Sequence, residues 1–558
     1  MKNKRLLKCF LSFALILTLL FGVSGCAILS LFRGKGTEFP TDLYANRDDF
    51  KFNYTQEDFD DYLEIIDKTY EIAQDPDTSS LKFSYYTTEL GIHRLRLVDA
   101  YHLARILYYS DTTNQENYQT FIDIDEKYNL STNEFNRLYG VMAESKFKED
   151  FFGDMTDEEI QALVEYSIPM QEKVDLSNQI TDIQTRFNSL TRQEQISSQF
   201  DEYYTELIEA QNSLALLGGY ENHSQESYAV TYGRDYTPQD TLTYVGLLKD
   251  CLFESVKESV LDYKDLKVGL TTDQINYCNA ILQTTFYSEQ GKTILDGFYR
   301  SLGQDIYDVY TSLMEDGYYY VAYNKNAYQG AFTSYFVTLG QPYMYFSGNG
   351  SSYTSISTFV HEFGHYLSFY FEGTSDNSTY ELMETHSQAA EWLFNAYLKD
   401  VVTGENCHEY IVGTQLYSDG YTMLLSALVG AFEVYAYSTP LSEGQTYTDL
   451  MISIKNDVFG QGTLEELYTN YVMPETYFKL VTIPHPSYYI SYSVSLISSL
   501  QIYALALDDY DNAVSVYTQL LTMQNGYLDS LSQVGLSSPF ESQTYALVSR
   551  VFSATETE

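Results

Sequence analysis

In this chain of 558 residues, the segment Ser355–Gly373 reads SISTFVHEFGHYLSFYFEG. It contains an HExxH motif formed by His361, Glu362 and His365. Positions four apart lie on one face of a helix, so His361 and His365 can bind the same metal ion. Glu362 is then placed to take a proton from a water molecule beside that metal. The motif therefore predicts a metal-dependent hydrolytic site.

The same segment has the composition of a buried helix. Thr354 or Ser355 can cap its start, and Gly373 suits the position just past its end. Most of the residues between them are apolar. The alternative is a chance HExxH in a core helix, with both histidines hydrogen-bonded inside the protein.

A catalytic zinc ion needs a third protein ligand beside the two histidines. Ser368 and Phe371 stand where the metzincin pattern has Gly and His, so that arrangement is excluded. A second helix is predicted over Ser378–Lys399, and a ligand can come from it instead. Its candidates are Glu381, Glu384, His386 and Glu391.

The distance in sequence from His365 distinguishes some of these candidates from one another. Glu384 follows His365 by nineteen residues, which is enough for a turn and a return onto the first helix. Glu391 lies two turns further along the same face, where it can orient a ligand through a hydrogen bond. Glu381 and Glu391 can also be ordinary charged residues, at a helix start or on a solvated face.

The N-terminus predicts export and lipidation. Residues 1–25 form a basic start and an apolar stretch, which is typical of a signal peptide. Val23–Cys26 reads VSGC and resembles a bacterial lipobox, so cleavage before Cys26 and lipid attachment to it are expected. Residues 26–51 then form the lipidated tether, and the body is extracytoplasmic. An uncleaved membrane helix is the alternative, and no later segment approaches the ~20 apolar residues that span a bilayer.

The charge limits the possible partners. The chain has 32 basic and 77 acidic residues, a formal net charge of −45. This balance argues against nucleic acid as a partner. It also disfavours binding to anionic lipid, so membrane attachment should rest on the lipid anchor alone. The sequence makes no prediction of the oligomeric state.

The cysteines predict a body without an important disulfide. Cys9 leaves with the signal peptide, and Cys26 carries lipid. Only Cys251, Cys278 and Cys407 remain, an odd number without the spacing of a disulfide framework.

Helical patterns dominate the first half of the body. Segments such as EDFDDYLEIIDKTYEIAQ and HRLRLVDAYHLARILYYS have helical periodicity and little Gly or Pro. We therefore predict an N-terminal helical region over residues 52–210 and a catalytic region over 211–558.

From Leu214 onward, separated segments resemble one known family. The stretches Leu214–Leu248 and Asn326–His365 are similar to parts of oligoendopeptidase F that lead to its zinc helix. ETHSQAAEW, Glu384–Trp392, is similar to thimet oligopeptidase, in which Ser-Gln begins three residues after the zinc-binding Glu. IPHPSYYISY, Ile483–Tyr492, resembles the family's His/Tyr segment. The order and spacing agree over roughly 280 residues.

This resemblance implies a zinc endopeptidase that cleaves short peptides. It implies a mainly α fold, a two-lobed helical bowl around a deep channel, with a small β-sheet beside the zinc helix. One Zn²⁺ per chain would be bound by His361, His365 and Glu384, with Glu362 as the general base.

The resemblance also implies that a tyrosine donates a hydrogen bond to the developing oxyanion. If the segment is helical, Tyr492 shares a face with both Tyr488 and Tyr489, so Tyr492 is the first candidate and Tyr489 the second. Tyr488 would contact substrate, and His485 would make a further contact. Taken alone, His485 reads as an ordinary loop histidine between two prolines.

Pro342–Ser347 alternates like a β-strand before the turn-like Gly348–Gly350. An edge strand beside the metal could align an extended peptide through main-chain hydrogen bonds, with Tyr343 and Tyr345 contacting it. The alternative is a plain hairpin strand in the core.

Two other functions fit the sequence. One is a carboxypeptidase-type metallopeptidase that trims single residues from one end of a peptide. The other is a non-catalytic lipoprotein that binds peptides for uptake. Glu362 argues against the second, because a pure binder does not need a base beside a metal.

Overall fold

The computed structural model describes residues 53–553 apart from 154, 158–159, 162, 165–170, 349–351, 373–378 and 524. The predicted signal peptide, Cys26 and tether lie outside these described residues. So do Gly373, the predicted helix end, and the centre of the Gly348–Gly350 turn.

Helices make up most of the described chain. Before the sheet they are α1 Gln56–Gln74, α2 Ser80–Ser110, α3 Gln115–Glu144, α4 Lys148–Phe152, α5 Gln171–Asn188, α6 Arg192–Gln195, α7 Gln199–Leu217, α8 His223–Glu226, α9 Pro238–Leu247, α10 Phe253–Gly269, α11 Thr272–Leu282, α12 Glu289–Ser301 and α13 Gln304–Ser312. Short π-helical turns follow α8, α9 and α13, at Ser227–Thr231, Leu248–Leu252 and Leu313–Gly317.

Three strands come next, β1 Tyr319–Ala322, β2 Ala331–Phe336 and β3 Gln341–Ser347, and then a 3-10 turn at Ser352–Thr354. The remaining helices are α14 Ile356–Glu372, α15 Tyr380–Val401, α16 Cys407–Ser438, α17 Tyr447–Phe459, α18 Thr463–Leu467, α19 Pro474–Val481, α20 Ile490–Asp508, α21 Tyr510–Leu520, α22 Tyr527–Gln533 and α23 Thr544–Ser553. The predicted mainly α fold with a small sheet is confirmed.

The chain forms two compact units. The first comprises Met1–Pro169, Thr285–Tyr287 and Gly303–Asn377, and the second comprises Met170–Thr284, Ser288–Leu302 and Ser378–Glu558. The first therefore contains α1–α4, α13, the three strands and α14. Neither unit begins at residue 211, where the sequence places the catalytic region, and that boundary stays a prediction. The two-lobed bowl and channel also stay predictions.

The helices α1–α4 of the first unit surround an apolar core. A capping box between Thr55 and Asp58 starts α1, whose buried face then recurs every three or four residues, as at Phe59, Tyr62 and Ile66. This spacing turns one stripe of the helix inward and leaves most of its acidic residues in solvent. The helical periodicity read from the sequence is confirmed here.

The sheet has the strand order β1-β3-β2. Strand β1 runs parallel to β3, with Tyr319 opposite Met344, and β2 runs antiparallel to it, with Ala331 opposite Phe346. Helix α14 packs against β2 and β3. The predicted sheet beside the HExxH helix is therefore confirmed.

Helix α2 holds the connection between β2 and β3. The carboxylate of Asp99 accepts hydrogen bonds from the main-chain N–H groups of Val337 (2.7 Å) and Thr338 (2.9 Å) and from the Thr338 hydroxyl. Arg105 donates to the Ser334 hydroxyl at 2.6 Å. Because Asp99 is fully buried, desolvation raises the pKa of its carboxyl group to about 7.

In the second unit, α15 packs along α20. Serines on α20 are buried against this interface, and the Ser499 hydroxyl lies 3.3 Å from the Thr385 carbonyl oxygen. Small side chains let two helices approach closely, so α15 and α20 are held in one register. Helix α20 is also long and apolar enough to cross a membrane, contrary to expectation, but 78% of its most apolar window is buried inside the protein.

The cysteine prediction is wrong in one respect. Cys278 at α11 and Cys407 at α16 form a disulfide, and both are buried. Their 129-residue separation gives no local signal, because the pairing depends on how α11 and α16 pack. Cys251 is free and exposed.

Candidate metal centre and active site

The HExxH segment forms helix α14, as predicted. The Ser355 hydroxyl accepts a hydrogen bond from the main-chain N–H of Thr358 at 3.2 Å, so Ser355 caps the helix. The apolar side of α14 is buried, and Phe359 stacks on Phe286 with ring centroids 4.7 Å apart. This packing fixes the rotation of the helix about its axis and so the direction of its histidines.

The two histidines lie one turn apart on α14. The rings of His361 and His365 have centroids 5.0 Å apart at an interplanar angle of 83°. Both are half-buried, whereas Glu362 between them is 6% exposed. One face of the helix therefore presents two imidazoles, and the adjacent position carries a buried carboxylate.

Strand β2 contacts that carboxylate. The hydroxyl of Thr333 lies 2.9 Å from Oε2 of Glu362 and 3.0 Å from the Glu362 carbonyl oxygen, and it donates to them. This contact orients the carboxylate. Sequence alone does not point to Thr333, because nothing near it marks a contact with a residue 29 positions away.

Glu384 lies on α15 and is also 6% exposed. The Tyr488 hydroxyl is 3.4 Å from its Oε1, and the Tyr488 and Tyr492 hydroxyls are 3.2 Å apart. Burial raises the pKa of Tyr488, and the Glu384 carboxylate and Tyr492 add to this shift. A carboxylate and two phenols thus share one small cluster.

One imidazole nitrogen from each of His361 and His365 and one carboxylate oxygen of Glu384 lie within 4.8 Å of one another. Zn²⁺ binds His nitrogen and carboxylate oxygen, the two kinds of ligand atom that these residues offer. Two imidazoles and one carboxylate are also a donor set of catalytic zinc sites. These residues fit the metal that the motif implies.

The other candidates on α15 have different partners. Glu381 accepts hydrogen bonds from Arg234 (2.7 Å), Tyr236 (2.8 Å) and Ser491 (2.8 Å) and is fully buried. His386 is buried with Nε2 3.2 Å from the Leu520 carbonyl oxygen, and burial lowers its pKa to about 4.

Glu391 lies near Gln415, whose Nε2 is 3.4 Å from the Glu391 carboxylate. Its predicted role in orienting a metal ligand stays a prediction.

The tyrosine block forms the start of α20. Tyr489 precedes the first residue of that helix and packs edge-on against Tyr477, with centroids 5.8 Å apart. Its ring also lies 5.7 Å from that of Tyr492. His485 is exposed in the preceding turn, with its ring 6.2 Å from Tyr488. Which phenol donates to the reacting group stays a prediction.

The predicted peptide-aligning strand needs a correction. β3 is the central strand of the described sheet, since β1 and β2 pair with its two edges, so it has no free edge for a peptide. Tyr343 and Tyr345 are 1% and 0% exposed, and the Tyr345 hydroxyl donates to the Tyr109 carbonyl oxygen at 2.8 Å. Both are core residues. The alternation of polar and apolar residues predicts a strand but not its place in the sheet.

Comparison with known proteins adds evidence on the fold. No family model and no curated protein matches the sequence. Among solved structures, the chain resembles a protein assigned as oligoendopeptidase F, determined by X-ray at 3.1 Å, with a TM-score of 0.66, 15% identity and coverage of 91% of this chain and 98% of that one. It also resembles PZ peptidase A with an inhibitor, with a TM-score of 0.66, 15% identity and coverage of 91% of this chain and 99% of that one. A third similar structure is a protein assigned as oligoendopeptidase F from Bacillus anthracis str. Ames, with a TM-score of 0.66, 15% identity and coverage of 91% of this chain and 97% of that one. The chain therefore has the mainly helical fold of these oligoendopeptidase F and peptidase structures.

Proposed function

We propose that this protein is a zinc-dependent endopeptidase that hydrolyses internal amide bonds of short peptides. The observation that carries the proposal is the proximity of ligand atoms from His361, His365 and Glu384, within 4.8 Å of one another. Glu362, adjacent to the first histidine, is a buried carboxylate with a hydrogen-bond donor of its own. The likeness in fold to peptidase structures supports the same reading.

The chemistry divides between the metal and the side chains. When bound, Zn²⁺ supplies a Lewis acid that polarises the scissile carbonyl and lowers the pKa of water. Glu362 accepts the proton of the attacking water, while Thr333 keeps its carboxylate oriented. The same carboxyl group then delivers that proton to the departing amine nitrogen.

The phenols supply hydrogen bonds to the negative charge that develops on the carbonyl oxygen. A tyrosine hydroxyl has an ordinary pKa near 10, so it is protonated at neutral pH and donates without being consumed. Tyr492 stays the first candidate and Tyr489 the second. Tyr488 joins them as a candidate because its hydroxyl is in contact with that of Tyr492.

Substrate alignment is proposed for strand β2. It is an outer strand of the described sheet and carries Thr333, which contacts Glu362. An extended peptide added along an outer strand is held by main-chain hydrogen bonds, which suit substrates of varied sequence.

We also propose that the protein is exported and anchored to the membrane by lipid on Cys26. The basic and apolar leader and the VSGC sequence support this. The Cys278–Cys407 disulfide supports it independently, because structural disulfides persist in oxidising compartments outside the cytosol. Cys26→Ala should shift the protein from the membrane to a soluble fraction or leave it unprocessed. Unchanged attachment with normal cleavage before residue 26 would exclude lipid as the anchor.

The test of the activity is a length series of peptides cut by the purified protein and mapped by mass spectrometry. We expect internal cuts, a requirement for zinc and loss of cleavage with a chelator. Removal of single residues from the C-terminus would indicate a carboxypeptidase instead. Binding of peptides without any cleavage by the zinc-loaded protein would indicate a peptide-binding lipoprotein.

A further inference from the structure

The turn before Tyr488 has an unusual backbone. Ser487 has φ of 61°, in the left-handed region, and among the described non-glycine residues only Asn406 shares a positive φ. A residue with a β-carbon costs about 1–2 kcal/mol there, so neighbouring groups must hold it. Ser487 is 2% exposed, and no glycine relieves the strain at this position.

Both peptide groups of this turn are bound by side chains, two of which, Glu433 and Arg234, are buried. The N–H of Ser487 donates to Oε1 of Glu433 at 2.7 Å, and its carbonyl oxygen accepts from Nη2 of Arg234 at 2.8 Å. The Tyr232 hydroxyl donates to the Pro486 carbonyl oxygen at 2.7 Å. Glu433 lies on α16, whereas Tyr232 and Arg234 lie just after the π-helical turn that follows α8. Distant segments of the second unit therefore converge on two consecutive residues.

The same guanidinium also joins the two helices of the site. Arg234 donates from Nη2 to the Ser491 hydroxyl (2.8 Å) and from Nε to Oε1 of Glu381 (2.7 Å). Ser491 immediately precedes Tyr492 on α20, and Glu381 lies three residues before Glu384 on α15. One buried cation thus fixes the register of the phenol-bearing helix against the helix that carries the third ligand.

Stability alone does not call for this arrangement. A buried ion pair is often no more stabilising than apolar residues of the same volume, because desolvation opposes the attraction. Its distinct effect here is to impose one conformation on a strained turn. Burial raises the pKa of Glu433 to about 8, and its bond to Ser487 uses an oxygen that accepts in either protonation state.

We propose that Arg234 and Glu433 are positioning residues that hold the Pro486–Ser487 turn in the conformation that brings the Tyr488 hydroxyl to Glu384 and Tyr492. This inference rests on the proposed peptidase function. Neither residue touches the reacting atoms in this scheme. Both act through the turn, so their loss should affect the placement of the phenols and leave the histidines of α14 unchanged.

The first test variants change Glu433, the side chain that binds the N–H of Ser487. Glu433→Leu removes the acceptor for the Ser487 N–H, so we expect kcat to fall about 10- to 100-fold, because small displacements of catalytic groups are costly. Zinc content should stay at one per chain and KM within about threefold. Glu433→Gln, which keeps an acceptor oxygen, should retain at least about a third of kcat.

Ser487→Gly provides the rescue. Glycine adopts positive φ without strain, so the turn no longer depends on being held. In the Glu433→Leu background, Ser487→Gly should restore kcat at least about threefold, whereas Ser487→Ala should not. A role in general stability would not produce this difference between glycine and alanine.

A second readout is independent of activity. Fluorine NMR of the full chain with 3-fluorotyrosine at position 488, recorded without zinc, should give one sharp resonance in the parent protein. Glu433→Leu should shift or broaden it, and adding Ser487→Gly should reverse the change. If Glu433→Leu does not fold, Tyr232→Phe removes only the bond to Pro486 and should produce the same spectral change and a smaller fall in kcat.

Failure of the positioning role and failure of the proposed function would give different results. An unchanged resonance together with unchanged kcat in folded Glu433→Leu, or in Tyr232→Phe if the former does not fold, would overturn the positioning role. Loss of kcat that follows loss of zinc would also overturn it. If the parent protein binds zinc but cleaves no peptide, the proposed function fails, and the fluorine spectra still decide whether the turn is held as described.

Discussion

The hydroxyl of Thr333 on β2 lies 2.9 Å from the carboxylate of Glu362 on α14. The sheet and the HExxH helix pack together in one unit, so this contact is a direct consequence of the fold. A carboxylate that is to take a proton from water must be held at one angle, and the hydrogen bond from Thr333 helps to hold it.

Thr333→Val should therefore lower kcat by about tenfold, the equivalent of about 1.4 kcal/mol, which is the scale of the net contribution of one hydrogen bond. Valine has nearly the same shape but no donor, so KM and zinc content should change little. Thr333→Ser keeps the hydroxyl and is the matched control. Equal kcat values for the serine and valine variants would show that the contact does not serve the reaction.

Substitutions of Glu384 and Glu381, the two acidic residues at the start of α15, should have opposite effects on metal binding and stability. Glu384→Ala should lower zinc affinity sharply, measured as bound zinc at a buffered free concentration. Glu381→Gln should keep one zinc per chain but lower the free energy of unfolding by about 3 kcal/mol, because it leaves Arg234 buried without its anion. Loss of zinc in Glu381→Gln with retention in Glu384→Ala would make Glu381 the ligand.

The disulfide should contribute to the stability of the second unit. Closing a loop of 129 residues between Cys278 and Cys407 stabilises the folded chain by up to about 5 kcal/mol through the unfolded state. The double change Cys278→Ala and Cys407→Ala should therefore lower the unfolding temperature, and a reducing agent should lower it in the parent protein only. Cys251→Ser, at an exposed free thiol, is the control and should leave it unchanged. Equal unfolding temperatures for the parent protein and the double variant would show that the bond contributes nothing.

Asp99 should make stability depend on pH in an unusual direction. Its pKa is raised from 3.8 to about 7 by burial, so between these values the folded protein holds a proton that the unfolded chain has released. The free energy of unfolding should then fall as pH rises through this window, by up to about 1.4 kcal/mol per pH unit, and level off above it.

Asp99→Asn should remove this dependence, which urea unfolding of both proteins between pH 4.5 and 8 would measure. Glu433 has a raised pKa as well and contributes with the same sign, but it is present in both proteins and cancels in their difference. A difference in stability that is constant across the whole range would contradict the raised pKa of Asp99.

Features set by local sequence could be predicted. The helix cap at Ser355, helices α14 and α15 and the strand before them follow from residue spacing and composition within one element. The choice of Glu384 over Glu381 came from its spacing and from resemblance, and the structure adds a physical reason, because Glu381 is already bound by Arg234.

Features set by packing between distant segments could not be predicted. The Arg234–Glu381 pair spans 147 residues and the Thr333–Glu362 contact 29, and no periodicity or motif marks either of them. The disulfide was missed for the same reason. The central position of β3 depends on which strands pair with it, and the alternation within one strand does not contain that information.

The measurement that tests the proposed reaction most directly is zinc content and peptide turnover of Glu362→Gln beside the parent protein. Glutamine keeps the size of the side chain and can still accept the Thr333 hydrogen bond, but it cannot take a proton from water. We predict one zinc per chain in both proteins and a kcat lower by about 10²-fold or more in the variant, the scale of general acid–base catalysis. Full turnover by zinc-loaded Glu362→Gln would contradict the assignment of Glu362 as the base and, with it, the proposed mechanism.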